Sequence, residues 1–176
     1  MQADSSAWIV ISGGSLTVTS YGDGLDSNGD LTITGGEVVV WGPTNGGNGS
    51  LDYAGTGTIT GGTIIAAGAT GMEMNFTSAE QGSILISTGS QSAGSTISVK
   101  DSDGNVLMSY TAELPYGCVV VSSADMAEGE TYTIEAGTYS ESVTLTSLIY
   151  GQSTGMGPGG MGGMMPGDGS QSGSFG

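Results

Sequence analysis

The 176-residue chain contains no histidine and no arginine, and Lys100 is its one basic residue against 17 acidic ones. The net charge of −16 argues against nucleic acid as a partner, because phosphate binding needs Lys or Arg to displace counterions. It argues equally against anionic membrane surfaces, which attract basic patches. The remaining partners are neutral, cationic, or bridged to the protein by a metal cation.

The absence of histidine also removes the commonest catalytic arrangements. A Ser-His-Asp triad cannot be built, and a catalytic zinc site would lack imidazole ligands. Two carboxylates can hydrolyse a glycosidic bond, but no pair stands out among the acidic residues. Polysaccharide lyases with a β-helix fold use a basic residue to abstract a proton, and only Lys100 is available. We therefore expect a non-catalytic protein and rank a lyase or glycosidase as the last alternative.

Cysteine and long apolar runs are scarce as well. Cys118 is the one cysteine, and its setting in Cys-Val-Val-Val is typical of a small buried hydrophobe. No apolar run is long enough to cross a membrane, which predicts no membrane insertion. Residues 1–4 have neither the basic start nor the apolar core of a signal peptide. We infer secretion instead from the Gly-, Ser- and Thr-rich composition, which suits stacked strands with tight turns.

The main positive feature is an internal repeat. Residues 2–14 read QADSSAWIVISGG, residues 24–36 read GLDSNGDLTITGG, and residues 50–62 read SLDYAGTGTITGG. Repeats of this length indicate a solenoid in which each copy forms one coil and is stabilised by stacking on its neighbours. The sequence therefore predicts an all-β fold in which residues 1–74 are coils of a parallel β-helix.

Apolar residues alternate within each copy, as they do in strands. Stacking should align the inward residues in ladders at the strand spacing of about 4.8 Å, with the Gly-Gly pairs at the corners. The predicted inward ladders are Ile9, Leu31 and Gly57; Ile11, Ile33 and Ile59; Leu16, Val38 and Ile64; and Val18, Val40 and Ala66.

The outward positions of the same strands become apolar along the stack. We expect this face to pack under the following segment, since large apolar patches are usually buried or in contact. The alternative is functional, with Trp41 as an exposed platform on which a sugar ring stacks. The outward ladders are Thr17, Val39 and Ile65, and Thr19, Trp41 and Ala67.

The rest of the chain loses the repeat. Residues 75–150 keep strand patterning and turn signals, which predicts a small antiparallel or sandwich-like cap over the end of the solenoid. The predicted strands are 83–88, 95–100, 105–111, 118–122, 130–136 and 142–148. Residues 151–176 are rich in Gly, Met and Pro, and we interpret them as a flexible tail.

Acidic residues recur at one place in the repeat and form the best candidate site. Asp4, Asp26 and Asp52 occupy equivalent positions in three copies, and stacked carboxylates repel one another unless cations intervene. Calcium prefers several carboxylate, amide and carbonyl oxygens, whereas the alternative is that these are ordinary turn residues. The remaining candidate ligands near this corner are Asp23, Asn28, Asp30 and Asn48.

A second acidic segment, Asp101-Ser-Asp-Gly-Asn105, is similar to the start of a calcium loop. An EF-hand would need Gly at its sixth position and Glu at its twelfth. Those positions are Val106 and Ala112, so we predict a hairpin turn instead.

Residues 22–36, GDGLDSNGDLTITGG, and residues 42–72, GPTNGGNGSLDYAGTGTITGGTIIAAGATGM, resemble a family of bacterial carbohydrate-binding-domain proteins. The resemblance implies a pectate-lyase-like, right-handed parallel β-helix that binds calcium. It implies binding of plant-type or acidic polysaccharide outside the cell, without cleavage. The resemblance implies Asp23, Asp26 and Asn28 as metal ligands, followed by Asp52.

These observations predict a calcium-assisted carbohydrate-binding or adhesion module at the bacterial cell surface. Trp41, Tyr21 and Tyr53 are the candidate sugar-contacting aromatics. The alternative function is structural. The chain starts inside a repeat, so its first coil would present an open strand edge, and end-to-end strand addition would build a surface filament, a homopolymer.

Overall fold

The computed structural model describes residue 4 and residues 6–151, and this part of the chain is all-β, with strands and no helix that could cross a membrane. The predicted tail lies, from residue 152 onward, outside the described residues. The strands are β1 (Trp8–Thr19), β2 (Leu25–Ser27), β3 (Asp30–Trp41), β4 (Leu51–Tyr53), β5 (Gly57–Gly68), β6 (Ser78–Ala79), β7 (Ser83–Gln91), β8 (Thr96–Lys100), β9 (Val106–Thr111), β10 (Tyr116–Ser123), β11 (Thr131–Ala136), β12 (Tyr139–Thr144) and β13 (Ile149–Tyr150).

The repeat forms two stacks of parallel strands. The long strands β1, β3 and β5 pair side by side, and the short strands β2 and β4 pair in a separate sheet. The predicted ladders are confirmed: Ile11 pairs with Ile33, which pairs with Ile59 in the next strand. The shared alternation of the copies therefore determined the register, although the copies are offset by 22 and 26 residues, because period-two alternation leaves one register that buries the apolar set.

The register between the long strands shifts at their paired glycines. Gly36 has φ +95°, a left-handed conformation that favours glycine. A Cβ there would lie 2.8 Å from the backbone C of Gly13 and 2.8 Å from the O of Gly14. Close backbone approach between neighbouring strands therefore requires glycine at this corner.

An inner core fills the space between the two parallel stacks. Cys118 is buried in this core, which confirms its prediction as a small buried hydrophobe. Burial, together with the nearby charge of Glu73, raises the pKa of its thiol to about 12, so the thiol is neutral near pH 7. The largest fully buried members of the inner core are Leu31, Ile33, Leu51, Ile59 and Ile64.

Three later strands extend the large sheet beyond β5. β10 pairs antiparallel with the second half of β5, β7 pairs antiparallel with β10, and β13 adds to β7 in parallel. The order β1-β3-β5-β10-β7-β13 makes this a mixed sheet. The edge of β5 is therefore covered by continuing its sheet, which satisfies backbone groups that a bare edge would leave unpaired.

A second, antiparallel sheet of order β12-β11-β8-β9 packs on the outward face of the large sheet. Its strand β12, Tyr139–Thr144, begins and ends a few residues before the predicted strand 142–148. The expectation that the outward ladder packs under the following segment is confirmed, since Val39, Trp41 and Ile65 lie in one core with Ile134 of β11. Trp41 is 3% exposed, which corrects its assignment as a sugar platform.

Candidate metal and carbohydrate site

Asp26 of β2 and Asp52 of β4 are direct partners in the parallel pair. Their strand neighbours Leu25 and Leu51 are buried, so strand alternation directs both aspartates away from the core. Asp26 is exposed and Asp52 is half-buried. The predicted alignment of these two carboxylates is thus confirmed by the pairing.

Asp23 is held beside this pair by the next repeat. Its Oδ1 accepts a hydrogen bond of 2.8 Å from the backbone N of Gly49. The N–H of Gly24 donates to the carbonyl oxygen of Gly49 at 3.0 Å, so the two segments run closely together. Partial burial and the charges of Asp23 and Asp26 raise the pKa of Asp52. We call Asp23, Asp26 and Asp52 the acidic corner.

The acidic corner offers hard oxygen donors on an accessible surface. Calcium takes six to eight such oxygens and tolerates flexible geometry, so the donor chemistry fits calcium. Among residues 4 and 6–151, no three acidic, His or Cys side chains are already arranged around a common metal position. Side-chain rotation of the exposed carboxylates, together with water or ligand oxygens, would have to complete the coordination.

Asp4 does not continue the aspartate ladder, which corrects the prediction of three equivalent carboxylates. Its backbone N–H donates to the O of Asn28 at 2.8 Å, two positions beyond Asp26. Its Oδ1 accepts hydrogen bonds from the N and Oγ of Ser6, and these bonds lower the pKa of Asp4. The segment before β1 turns locally here, so repeat alignment by sequence offset fails.

Two further candidate ligands have structural partners. Oδ1 of Asp30 accepts a 2.7 Å bond from the N–H of Thr56, which ties neighbouring repeats at the start of β3. Nδ2 of Asn48 donates to Oδ1 of Asn45 at 2.8 Å. Asn28 is exposed, and its carbonyl is the acceptor for Asp4. Each of these residues therefore has a hydrogen bond to a group outside the acidic corner.

The remaining aromatic candidates differ in how far their side chains are exposed. Tyr21 is 71% exposed and lies two residues before Asp23. Tyr53 is 3% exposed, and its hydroxyl donates to the carbonyl oxygen of Asn75, so it is no sugar platform. Burial raises the pKa of Tyr53 to about 12. Tyr21 is therefore the candidate aromatic that remains accessible beside the acidic corner.

Asn45 is a site residue that sequence reasoning missed. Its Nδ2 donates to the carbonyl oxygen of Tyr21 at 3.1 Å, and its Oδ1 accepts from the N–H of Gly47. It thus links the loop that carries Tyr21 to the following repeat. The signal was present in Asn45-Gly-Gly-Asn48, where two asparagines flank a glycine pair, but only the second was singled out.

The segment Asp101–Asn105 forms the predicted turn. Oδ1 of Asp101 accepts from the N–H groups of Asp103 and Asn105, and Oδ2 accepts from the side chain of Asn105 at 2.8 Å. The turn joins β8 to β9 in an antiparallel pair. The predicted hairpin turn is therefore confirmed at this position.

The best candidate site is therefore the acidic corner together with the loop beside it in sequence. Asp26 pairs with Asp52, Asp23 accepts from the N–H of Gly49, and Asn45 bonds to the loop that carries the exposed Tyr21. Comparison of the chain with family models, with curated proteins and with solved structures found no match.

Proposed function

We propose that the protein is a non-catalytic extracellular carbohydrate-binding or adhesion module of the bacterial cell surface, in which calcium assists binding. The observation that carries this proposal is the pairing of Asp26 with Asp52, with Asp23 fixed alongside. The resemblance of residues 22–36 and 42–72 to bacterial carbohydrate-binding-domain proteins supports it. The favoured ligand is a plant-type or acidic polysaccharide.

The scaffold under this proposal is a right-handed parallel β-helix. Its support is the in-register parallel pairing of β1, β3 and β5 together with the parallel pairing of β2 and β4. Both stacks contribute side chains to one inner core. In such a coil each turn brings equivalent residues to the same corner, so a single aspartate position per repeat generates a row of carboxylates.

A bound calcium ion would allow this acidic protein to bind an acidic sugar. Partial burial is the largest cause of the raised pKa of Asp52, and repulsion from the charges of Asp23 and Asp26 raises it further. A bound cation would relieve that repulsion and leave coordination positions for sugar hydroxyl or carboxylate oxygens. The exposed ring of Tyr21 would cover an apolar sugar face.

Asp52→Asn tests this mechanism in the metal-free and calcium-loaded protein. A carboxyl whose folded pKa is raised costs stability once the pH exceeds its unfolded pKa, so Asn should stabilise the metal-free fold at pH 7 by up to about 1 kcal/mol. That gain should vanish at low pH, where Asp52 is protonated. Calcium should stabilise the wild type and have much less effect on the variant, as urea denaturation with and without calcium would measure.

Asp103→Asn is the matched control, because Asp103 is exposed and lies in the β8–β9 turn. It should keep the full calcium response. The proposal fails if calcium leaves wild-type stability unchanged or if both variants respond alike. Retention on immobilised polygalacturonate should also disappear after chelation, and binding that survives chelation would exclude the calcium mechanism.

The open edge of β1 favours filament formation as a second candidate function. Within the described part of the chain β1 pairs with β3 alone, and its twelve residues carry no charge and no proline. Trp8 and Val10 are 68% and 52% exposed on this strand. Such an edge lacks the features that usually prevent strand addition.

Gly13→Val separates the filament from the monomer. A Cβ at Gly13 meets nothing within 4 Å, whereas a Cβ at the equivalent Gly35 would lie 2.9 Å from the O of Ser12 in the strand stacked on it. The variant should therefore fold normally but block stacking on β1. Electron microscopy at high concentration should show fibres for the wild type and none for Gly13→Val. Monomers in both samples, or fibres in both, would reject edge-mediated assembly.

A further inference from the structure

A cavity of about 450 Å³ lies where the end of β7 meets the beginning of β8 and the end of β11. It shares no residue with the acidic corner. Small-ligand sites are concave and place a few polar groups that fix the orientation of the ligand. Its lining is rich in hydroxyl and amide groups and includes Gln91, Ser92, Thr96, Ser98, Glu135 and Thr138.

The charge in this cavity is balanced. Nζ of Lys100, the only basic side chain of the protein, lies 2.7 Å from Oε2 of Glu135 and donates to Oε1 at 2.8 Å. Oγ of Ser98 also donates to this carboxylate, at 3.2 Å. These bonds lower the pKa of Glu135, so the carboxylate is ionised and its charge is matched locally. An anionic ligand finds no free cation here, and a cationic ligand finds no free charge.

The walls are held in place by hydrogen bonds between loops. Oε1 of Gln91 accepts from the N–H of Thr138 at 3.0 Å and from its hydroxyl at 3.2 Å. Oγ of Ser95 lies 3.1 Å from the hydroxyl of Tyr116. A Cβ at Gly137 would lie 2.3 Å from Oε1 of Gln91, so the glycine allows this close approach. The polar groups of the cavity are thus positioned before any ligand arrives.

We propose that this cavity binds a neutral sugar residue, without calcium, as a second carbohydrate site. Glu135 offers two carboxylate oxygens as acceptors. Two acceptors side by side can bind the hydroxyl groups on adjacent carbons of a sugar. Ser92 and Thr96 are exposed and can both donate and accept. Thr96 and Thr138 line the cavity, and each carries a methyl group that could contact the C–H face of the ring. The acidic corner and this cavity would then contact different residues of one polysaccharide.

The test is a titration of the whole chain, free of calcium, with the methyl glycosides of glucose, galactose and mannose, followed by nuclear magnetic resonance. At least one sugar should shift the backbone amides of Ser92, Thr96, Gly137 and Thr138 with saturation in the millimolar range, as expected for a ligand of few atoms. Glu135→Ala should weaken this binding at least tenfold, by the loss of a charge-assisted acceptor. Glu128→Ala, at an exposed glutamate outside the cavity, should not.

Thr96→Ala provides a second variant if Glu135→Ala perturbs the fold, and it should also weaken binding. The proposal is overturned if all three sugars leave these amides unmoved, or if an acidic peptide or inorganic phosphate produces the saturable shifts instead. Shifts confined to the acidic corner that require calcium would support the proposed function and reject the second site. Calcium-independent shifts confined to the cavity would support the second site alone.

Discussion

Trp41→Ala should lower the free energy of unfolding by about 3 to 5 kcal/mol, the usual cost of removing a large buried aromatic side chain. Trp41 is 3% exposed in the core between the two packed sheets, where Val39 and Ile65 are also buried. Alanine would leave a cavity between layers that cannot close without moving whole strands. Trp41→Ala should therefore reduce stability. Tyr21→Ala, by contrast, should weaken sugar binding without reducing stability.

Urea denaturation of Trp41→Ala measures this effect, and Trp8→Ala is its control. Trp8 is 68% exposed, so its removal should change stability by about 0.5 kcal/mol or less. Because the chain has two tryptophans, Trp8→Phe isolates the fluorescence of Trp41. A blue-shifted emission protected from acrylamide is expected. Emission typical of a solvated indole, or equal stability losses in the two alanine variants, would contradict the buried position.

Gly36→Ala should destabilise the protein by about 3 kcal/mol, from two additive causes. The left-handed conformation at φ +95° costs an L-residue roughly 1 to 2 kcal/mol. The added Cβ would also lie 2.8 Å from backbone atoms of Gly13 and Gly14, and backbone atoms cannot rotate away as a side-chain tip can. Stacking of β1 on β3 would have to loosen.

Gly14→Ala separates these two causes. Gly14 has a similar φ of +82°, but a Cβ there meets nothing within 4 Å. It should therefore lose only about 1 kcal/mol, from strain alone. Denaturation curves of the two variants would give the stacking contribution by difference. Equal losses would show that the glycine pair is required for conformation and not for close approach between repeats.

The inward ladders could be read from the repeats because three copies carry the same alternation. Once strands stack in parallel, the position of Ile33 under Ile11 follows from the need to bury both. The pairing of Asp26 with Asp52 follows in the same way, since buried Leu25 and Leu51 set the register. The position of Asp4 does not follow from the repeat alignment, because the chain before β1 makes a local turn in which the N–H of Ala7 bonds to the O of Asp4.

The sequence by itself determined the all-β class, the register of the repeats and the outward direction of the acidic pair, because these depend on a local alternation that recurs in each copy. The sequence also predicted that the outward ladder is covered, but only the tertiary structure decided which candidate aromatic residues stay exposed. Trp41 and Tyr21 both lie outside the inner core, yet the second sheet buries one and leaves the other exposed. The antiparallel entry of β10 beside β5 and the cavity near Glu135 also depend on contacts between distant segments, which alternation within a strand does not encode.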